Sequence, residues 1–265
     1  MADLGTGEIY TIAIAGSGKL ASKLLQALQQ NNLNIDFLWG RNGVTLQELA
    51  KSSNAQVVEK EFLTQIQSPC IVFLCVPDAA LQDVIEMFSG NKNLLLIQMS
   101  GSIPRIQTLG HQAETAVFYP LMTFTKDRDV NWKLIPVFLE TDNANTSLLL
   151  EKLAMQLGNT CRYMNAENRK SLHLAAVFAN NFVNHSLAIA YKICAEGNLD
   201  FALLKPLVEE TISKAFETNP ALVQTGPAVR QDWPVINEHI RFLSSSEYFR
   251  NVYEANTHSI QNINI

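Results

Sequence analysis

Between Ile9 and Met164 short apolar runs alternate with amphipathic stretches, and after residue 165 the alternation stops. The runs YTIAIAG, NIDFLWG, CIVFLCVPD, NLLLIQMSG, TAVFYP and KLIPVFLET predict strands. Several are apolar at consecutive positions, the pattern of strands covered on both faces. Between them, LASKLLQALQQ, VTLQELAKSS, ALQDVIEMF and NTSLLLEKLAMQLG carry apolar residues at helical spacing. Asn145 is a candidate cap for the last of these, and Gly158 its stop. Such alternation builds an α/β domain around a doubly wound, mostly parallel sheet.

The second part of the chain reads as helix throughout. From Ala166 to Glu196 no Gly or Pro occurs, a length of about 46 Å if all of it is helical. FALLKPLVEETISKAF, PVINEHIRFL and SEYFRNVYEANTHSI continue the pattern. The expected organisation is an α/β domain over residues 1–164 and an all-α domain over residues 165–265. The last residues, SIQNINI, are expected to fray.

The first strand runs into Gly16-Ser17-Gly18-Lys19-Leu20-Ala21. This is not a Walker loop: Ala13 stands where the first glycine should be, and Leu20 replaces the hydroxyl that would hold magnesium. It does fit G-x-G-x-x-G/A between a strand and a helix, the dinucleotide fingerprint of a Rossmann-type domain. Gly16 allows the tight turn, Gly18 lets the backbone approach a pyrophosphate, and Ala21 lets helix and strand pack closely. The N–H groups of Lys19 and Leu20 then open a helix whose N-terminus favours phosphate. A Gly-rich turn without a ligand is the alternative.

NAD-binding domains of this kind place an acid at the end of the second strand for the ribose hydroxyls. The corresponding stretch is Trp39-Gly40-Arg41-Asn42, which has none. Arg41 suits the 2′-phosphate of NADP, so NADP is the expected cofactor; a surface arginine in a turn is the other reading.

Composition narrows the partners. A net charge of −5 speaks against a nucleic-acid binder. No apolar run reaches the length of about 20 residues that spans a bilayer, and no signal-peptide pattern opens the chain. Cys70, Cys75, Cys161 and Cys194 form no metal-like pattern, and Cys70 and Cys75 read as buried thiols of a cytoplasmic protein.

Ligands of open α/β sheets lie beyond the carboxyl ends of the strands. Val76 and Pro77 end one strand and are placed to cover the ribose, with Asp78 a candidate helix cap. Ser100 and Gly101 end the next and are placed to face the nicotinamide end. Tyr119 and Thr123 follow another strand and either shape the substrate pocket or form a turn.

The segment SLHLAAVFANNFVNHSLAIAY is almost apolar all round, the pattern of a buried or central helix. On an α period His173, Asn180, Asn184 and Tyr191 fall within about 20° of one line, with Lys170 nearby. One reading is a wall of the substrate site with His173 or Lys170 as proton donor; the other is a hydrogen-bonded helix or subunit seam. In TGPAVRQD, Asp232 is a candidate cap, and Arg230 binds either a substrate carboxylate or a neighbouring acid.

The series GSGKLA, CVPD, MSGS, YPLMTF, HLAAVFANNFVNH, TGPAVRQD and INEHIRFL resembles oxidoreductases that join a Rossmann-like domain to a C-terminal domain of the DUF2520 type. The chain is more distantly similar to pyrroline-5-carboxylate reductases, F420-dependent NADP oxidoreductases and 6-phosphogluconate-type dehydrogenases. The resemblance implies NADP binding, a small-molecule substrate and a homodimer formed through the helical domain. In the 6-phosphogluconate-type relatives a catalytic Lys precedes an Asn by four residues; here Lys170 is followed by Leu174, and His173 lies in the region instead. The expected activity is hydride transfer between the nicotinamide and a small carbonyl, imine or hydroxy compound, with His173, Lys170 and Asn180 as catalytic candidates. The alternative of another class is a non-catalytic NADP-binding sensor or scaffold.

Overall fold

The structure, a computed structural model, describes residues 2–3, 9–108, 110 and 112–262. The final three residues of SIQNINI therefore lie outside the described residues. By its internal contacts the chain divides into two compact units, Met1–Asn180 and Asn181–Ile265.

The first unit is built on a nine-stranded sheet. Its strands are β1 (Ala2–Asp3), β2 (Ile9–Ala15), β3 (Phe37–Trp39), β4 (Gln56–Val57), β5 (Cys70–Leu74), β6 (Leu94–Gln98), β7 (Glu114–Pro120), β8 (Val137–Glu140) and β9 (Cys161–Tyr163). The order is β4-β3-β2-β5-β6-β7-β8-β9, with β1 paired to β2 off this path. Every pair along that path is parallel except β7–β8; β1–β2 is also antiparallel. The helices of this unit are α1 (Lys19–Gln30), α2 (Gly43–Ser53), α3 (Lys60–Gln65), α4 (Leu81–Phe88), α5 (Ala144–Gln156) and α6 (Ala166–Ala176). The strand order reverses at β2, which runs between β3 and β5, and this creates the crevice where such sheets bind ligands.

Consecutive apolar residues are explained by two cores on opposite faces of the sheet. Ile12, Ile14, Ile71 and Phe73 join Leu24 and Leu28 of α1 and Leu150 and Leu153 of α5. Their neighbours Ala13, Ala15, Val72 and Leu74 join Leu63 of α3 and Leu81, Ile85 and Phe88 of α4. The central strands β2, β5 and β6 thus each feed both layers, and burying each large apolar side chain contributes about 1.5–3 kcal/mol.

Two expected caps differ. Asn143, not Asn145, caps α5; its side chain accepts from the N–H groups of Asn145 and Thr146 at 2.8 and 3.4 Å. An Asx side chain reaches forward to N–H groups two and three residues on, so the cap stands before the first helical residue. Gly158 does end that helix region, with φ +76°. Asp78 opens a short 3-10 turn, Asp78–Ala80, and makes no capping hydrogen bond to α4.

After α6 a π-helical segment, Val177–Phe182, leads to α7 (Val183–Glu196). A π turn closes i→i+5 bonds, so the α period behind the stripe of His173, Asn180, Asn184 and Tyr191 does not hold through this segment. The burial expectation fails as well: Leu174, Phe178, Phe182 and Tyr191 are all exposed in the single chain.

The second unit holds α7, α8 (Lys205–Glu217), α9 (Trp233–Phe242) and α10 (Glu247–Asn262). Asp232 caps α9 through the N–H of Val235. Tyr191 meets Phe201 edge-on at 5.5 Å, and His239 Nδ1 lies 2.9 Å from Tyr253 Oη. No described helix is long and apolar enough to cross a membrane.

Candidate functional site

The Gly16–Leu20 turn lies where β2 stops. Gly16 has φ +122°, and a Cβ there would stand 2.2 Å from the carbonyl oxygen of Cys75. Only glycine fits, because β5 passes directly beside the turn. The Gly16 N–H donates to Trp39 O at 2.7 Å, and the Cys75 N–H donates to Ala15 O at 2.8 Å. The turn is therefore fastened to the carboxyl ends of both neighbouring strands. Gly18 precedes α1 with no side-chain cap, and a Cβ on it would meet nothing within 4 Å. Bare N–H groups at a helix start beside open space are what an anion requires.

These pieces enclose a crevice of about 580 Å³. Gly16, Ser17, Gly18, Lys19 and Leu20 form its base, and Trp39, Gly40, Arg41 and Asn42 one wall. Cys75, Val76 and Pro77 form the opposite wall with Ala80, Asp83, Val84 and Met87. Asn42 also caps α2 by accepting from the Thr45 N–H at 3.3 Å, which fixes the turn carrying Arg41. Thr45 Oγ1 donates to Ser17 Oγ at 2.6 Å and ties α2 to the glycine turn.

A second polar cluster begins one residue beyond Pro77. The Asp78 carboxylate accepts from Ser102 Oγ, joining this strand end to the Ser100–Ser102 turn after β6. Ser100 Oγ shapes that turn by accepting from the N–H groups of Ser102 and Ile103. Ser100 and Gly101 do not line the crevice. Gly101 instead lies under Tyr119 and His173: a Cβ on it would stand 2.7 Å from Tyr119 Oη and 2.8 Å from His173 Nδ1. Tyr119, at the end of β7, is buried, and its Oη is 3.0 Å from His173 Nδ1. Burial, reinforced by the Asp78 carboxylate, pushes the Tyr119 phenol above the usual tyrosine range, against a smaller opposing pull from Arg169. Tyr119 thus holds its proton.

Arg169 was not among the residues singled out from the sequence. It is one turn before His173 on α6 and 1% exposed. It pairs with Glu140 of β8 and donates to Ile103 O at 2.9 Å. This places the His173 side of α6 over the sheet end. Its only sequence signal is the spacing of four residues, which any helical surface arginine shares. Lys170 and Asn180 are exposed, and Thr123 is exposed in the loop after β7. Asn184 on α7 and Arg230, in the turn before α9, are exposed residues of the second unit. Among the described residues no group of three His, Cys, Asp or Glu side chains could hold a metal ion.

The chain matches the family model for coenzyme F420-dependent NADP oxidoreductases over residues 11–101. Residues 135–260 match the model of a domain of unknown function, DUF2520. No curated protein matches the chain in sequence. Among solved structures, a Bacteroides fragilis protein assigned as an NADP oxidoreductase is 33% identical over 97% of this chain and 100% of that one, with a TM-score of 0.86. A reductive aminase from Aspergillus terreus, solved with NADPH and ethyl levulinate, is 10% identical over 95% and 93% of the two chains, TM-score 0.67. An imine reductase from Streptomyces aurantiacus is 15% identical over 94% and 93%, TM-score 0.64. The last two likenesses establish a shared fold. The first, at its identity and length, establishes kinship: the chain, which joins an F420-dependent NADP oxidoreductase match to a DUF2520 match, belongs to the same family as the Bacteroides protein assigned as an NADP oxidoreductase.

Proposed function

We propose that the protein is an NADP-dependent oxidoreductase acting on a small carbonyl, imine or hydroxy compound. The observation that carries this reading is the crevice at the sheet's reversal point, with the Gly16–Leu20 turn at its base and Arg41 and Asn42 on its wall. When bound, the nicotinamide supplies or accepts the hydride. The chain's own residues do the rest. The N–H groups at the start of α1 hold the pyrophosphate, and Arg41 meets the 2′-phosphate, where an acid would have repelled it. Val76 and Pro77 cover the ribose and keep water from it.

His173 is the proposed site of proton exchange. Tyr119 keeps its proton and gives a hydrogen bond to Nδ1, which leaves Nε2 to exchange a proton with substrate. Lys170, one turn from His173, is the second candidate proton donor, Asn180 a further catalytic candidate, and Thr123 a polar contact for substrate. Free thiols at Cys70, Cys75, Cys161 and Cys194 support a reducing, cytoplasmic setting. The exposed apolar side chains of the helical part, such as Phe178, Phe216 and Trp233, support a homodimer.

Calorimetric titration with NADPH and NADH tests the reading. Tighter binding of NADPH is expected; binding of neither, or a preference for NADH, overturns it. NADPH binding without turnover across a panel of carbonyls and imines is the outcome that a sensor gives.

A further inference from the structure

A groove of about 370 Å³ adjoins the crevice, and the two share Ser17, Gly18 and Lys19. Ser17, Lys19 and Ser22 line one side and Thr45 and Glu48 the other. Besides Ser52 of α2, the remaining polar residue is Lys126, in the loop between β7 and β8, 85 residues beyond Arg41. The groove thus gathers two ammonium groups and several hydroxyls around a single acid. The Thr45–Ser17 hydrogen bond stands where it opens into the crevice.

The loop that brings Lys126 there is fastened on both sides of it. Phe124 stacks on Trp132 at 5.6 Å, and both rings pack on the core. On the other side, Lys23 of α1, 3% exposed, pairs with Asp129 at 3.9 Å, and Val130 packs on the same core. The pyrophosphate has its own donors at the start of α1. Arg41 lines the crevice and not this groove, and the two cavities meet at Ser17, Gly18 and Lys19. An ammonium on a flexible stem meets a phosphate monoester as a point charge without a fixed angle.

We propose that the 2′-phosphate of NADP, met by Arg41 on the crevice wall, sits where the crevice opens into this groove, and that Lys126 is a specificity-determining residue for the phosphorylated over the unphosphorylated dinucleotide. This rests on the reading that the crevice binds NADP. Lys126 is exposed, so truncating it does not threaten the fold.

The test titrates the full-length wild type, Lys126→Ala, Lys126→Arg and Arg41→Ala with NADPH, NADH, adenosine 2′,5′-bisphosphate and inorganic phosphate at low salt. Lys126→Ala is expected to weaken NADPH and the bisphosphate about fivefold and to leave NADH within about twofold, with Arg restoring the preference. Raising salt should erase the difference between wild type and Lys126→Ala. Equal loss for NADPH and NADH, no loss for either, or a response to inorganic phosphate alone overturns the proposal. A wild type without preference for NADPH overturns the NADP reading as well. A preference that disappears in Arg41→Ala but survives in Lys126→Ala overturns only the role of Lys126.

Discussion

Tyr119 Oη and His173 Nδ1 stand 3.0 Å apart across the α-carbon of Gly101. One group ends a strand and the other projects from a helix 54 residues later, so the contact depends on the whole unit being folded. Removing the imidazole removes the proposed proton donor: His173→Ala should lower kcat about 10²–10⁴-fold. Tyr119→Phe removes one neutral hydrogen bond and should lower kcat about tenfold. Steady-state kinetics with a substrate found in the carbonyl and imine panel, alongside NADPH titration, measures both. Unchanged kcat in His173→Ala removes it from the chemistry.

Gly101→Ala tests the same pair without touching either side chain. Its Cβ would lie 2.4 Å from Tyr119 Cζ, so the phenol must move and its bond to His173 breaks. The expected result is a kcat loss comparable to Tyr119→Phe, a stability cost of about 1–3 kcal/mol, and an unchanged NADPH Kd. Gly101 does not line the crevice. A weakened Kd with normal kcat would return Gly101 to the cofactor role that its position at a strand end predicted.

The sheet was legible because its strands feed two cores, which forces apolar residues at consecutive positions: Ile71, Val72, Phe73 and Leu74 are each 0–1% exposed. The glycine turn was legible because local geometry demands it. Asn143 was missed for Asn145 because both are Asn and the difference depends on a single turn of backbone. The π segment carries no composition signal, so a stripe drawn on an α period overran it. Arg169 and Lys126 were invisible for a different reason. Glu140 and Ile103, the partners of Arg169, and Thr45 and Ser17, which line the groove with Lys126, come from distant parts of the chain, and periodicity records only which face a residue takes.

Gly16→Ala should abolish NADPH binding and destabilise the protein. The site combines φ +122°, which side chains rarely adopt, with a Cβ position 2.2 Å from the Cys75 carbonyl oxygen. Neither the strand end nor the backbone oxygen can yield as a flexible side chain would. The conformational strain alone costs about 1–3 kcal/mol, and displacement of the turn adds to it. Chemical denaturation with and without NADPH checks this: the wild type should gain stability from the ligand and the variant should not.

Arg169→Met should cost about 3–5 kcal/mol, because it leaves the Glu140 carboxylate beside a buried, unpaired position. Replacing both partners, Arg169→Met with Glu140→Gln, should cost less than the single change, since the charge is then removed together with its counter-ion. Urea denaturation of the cycle measures the coupling. Equal losses in the single and double variants would mean that the Ile103 carbonyl, and not Glu140, is what Arg169 secures.

Alkaline pH should weaken the fold through its buried thiols. Burial pushes Cys70 from 9.0 to about 11 and raises Cys75 further in the same direction. Above the unfolded value of about 9 the unfolded chain loses these protons while the folded chain keeps them. Stability is therefore complete below pH 9 and falls as pH rises from about 9 to 11, by about 1.4 kcal/mol per pH unit for each thiol. The carboxylate of Asp36 adds to the rise at Cys70, and a hydrogen bond with Thr11 opposes it. Urea midpoints at pH 8.5 and 10.5 should differ more for the wild type than for Cys70→Ala/Cys75→Ala. If the double variant loses as much as the wild type over that range, the alkaline sensitivity belongs to other groups, Tyr119 first among them.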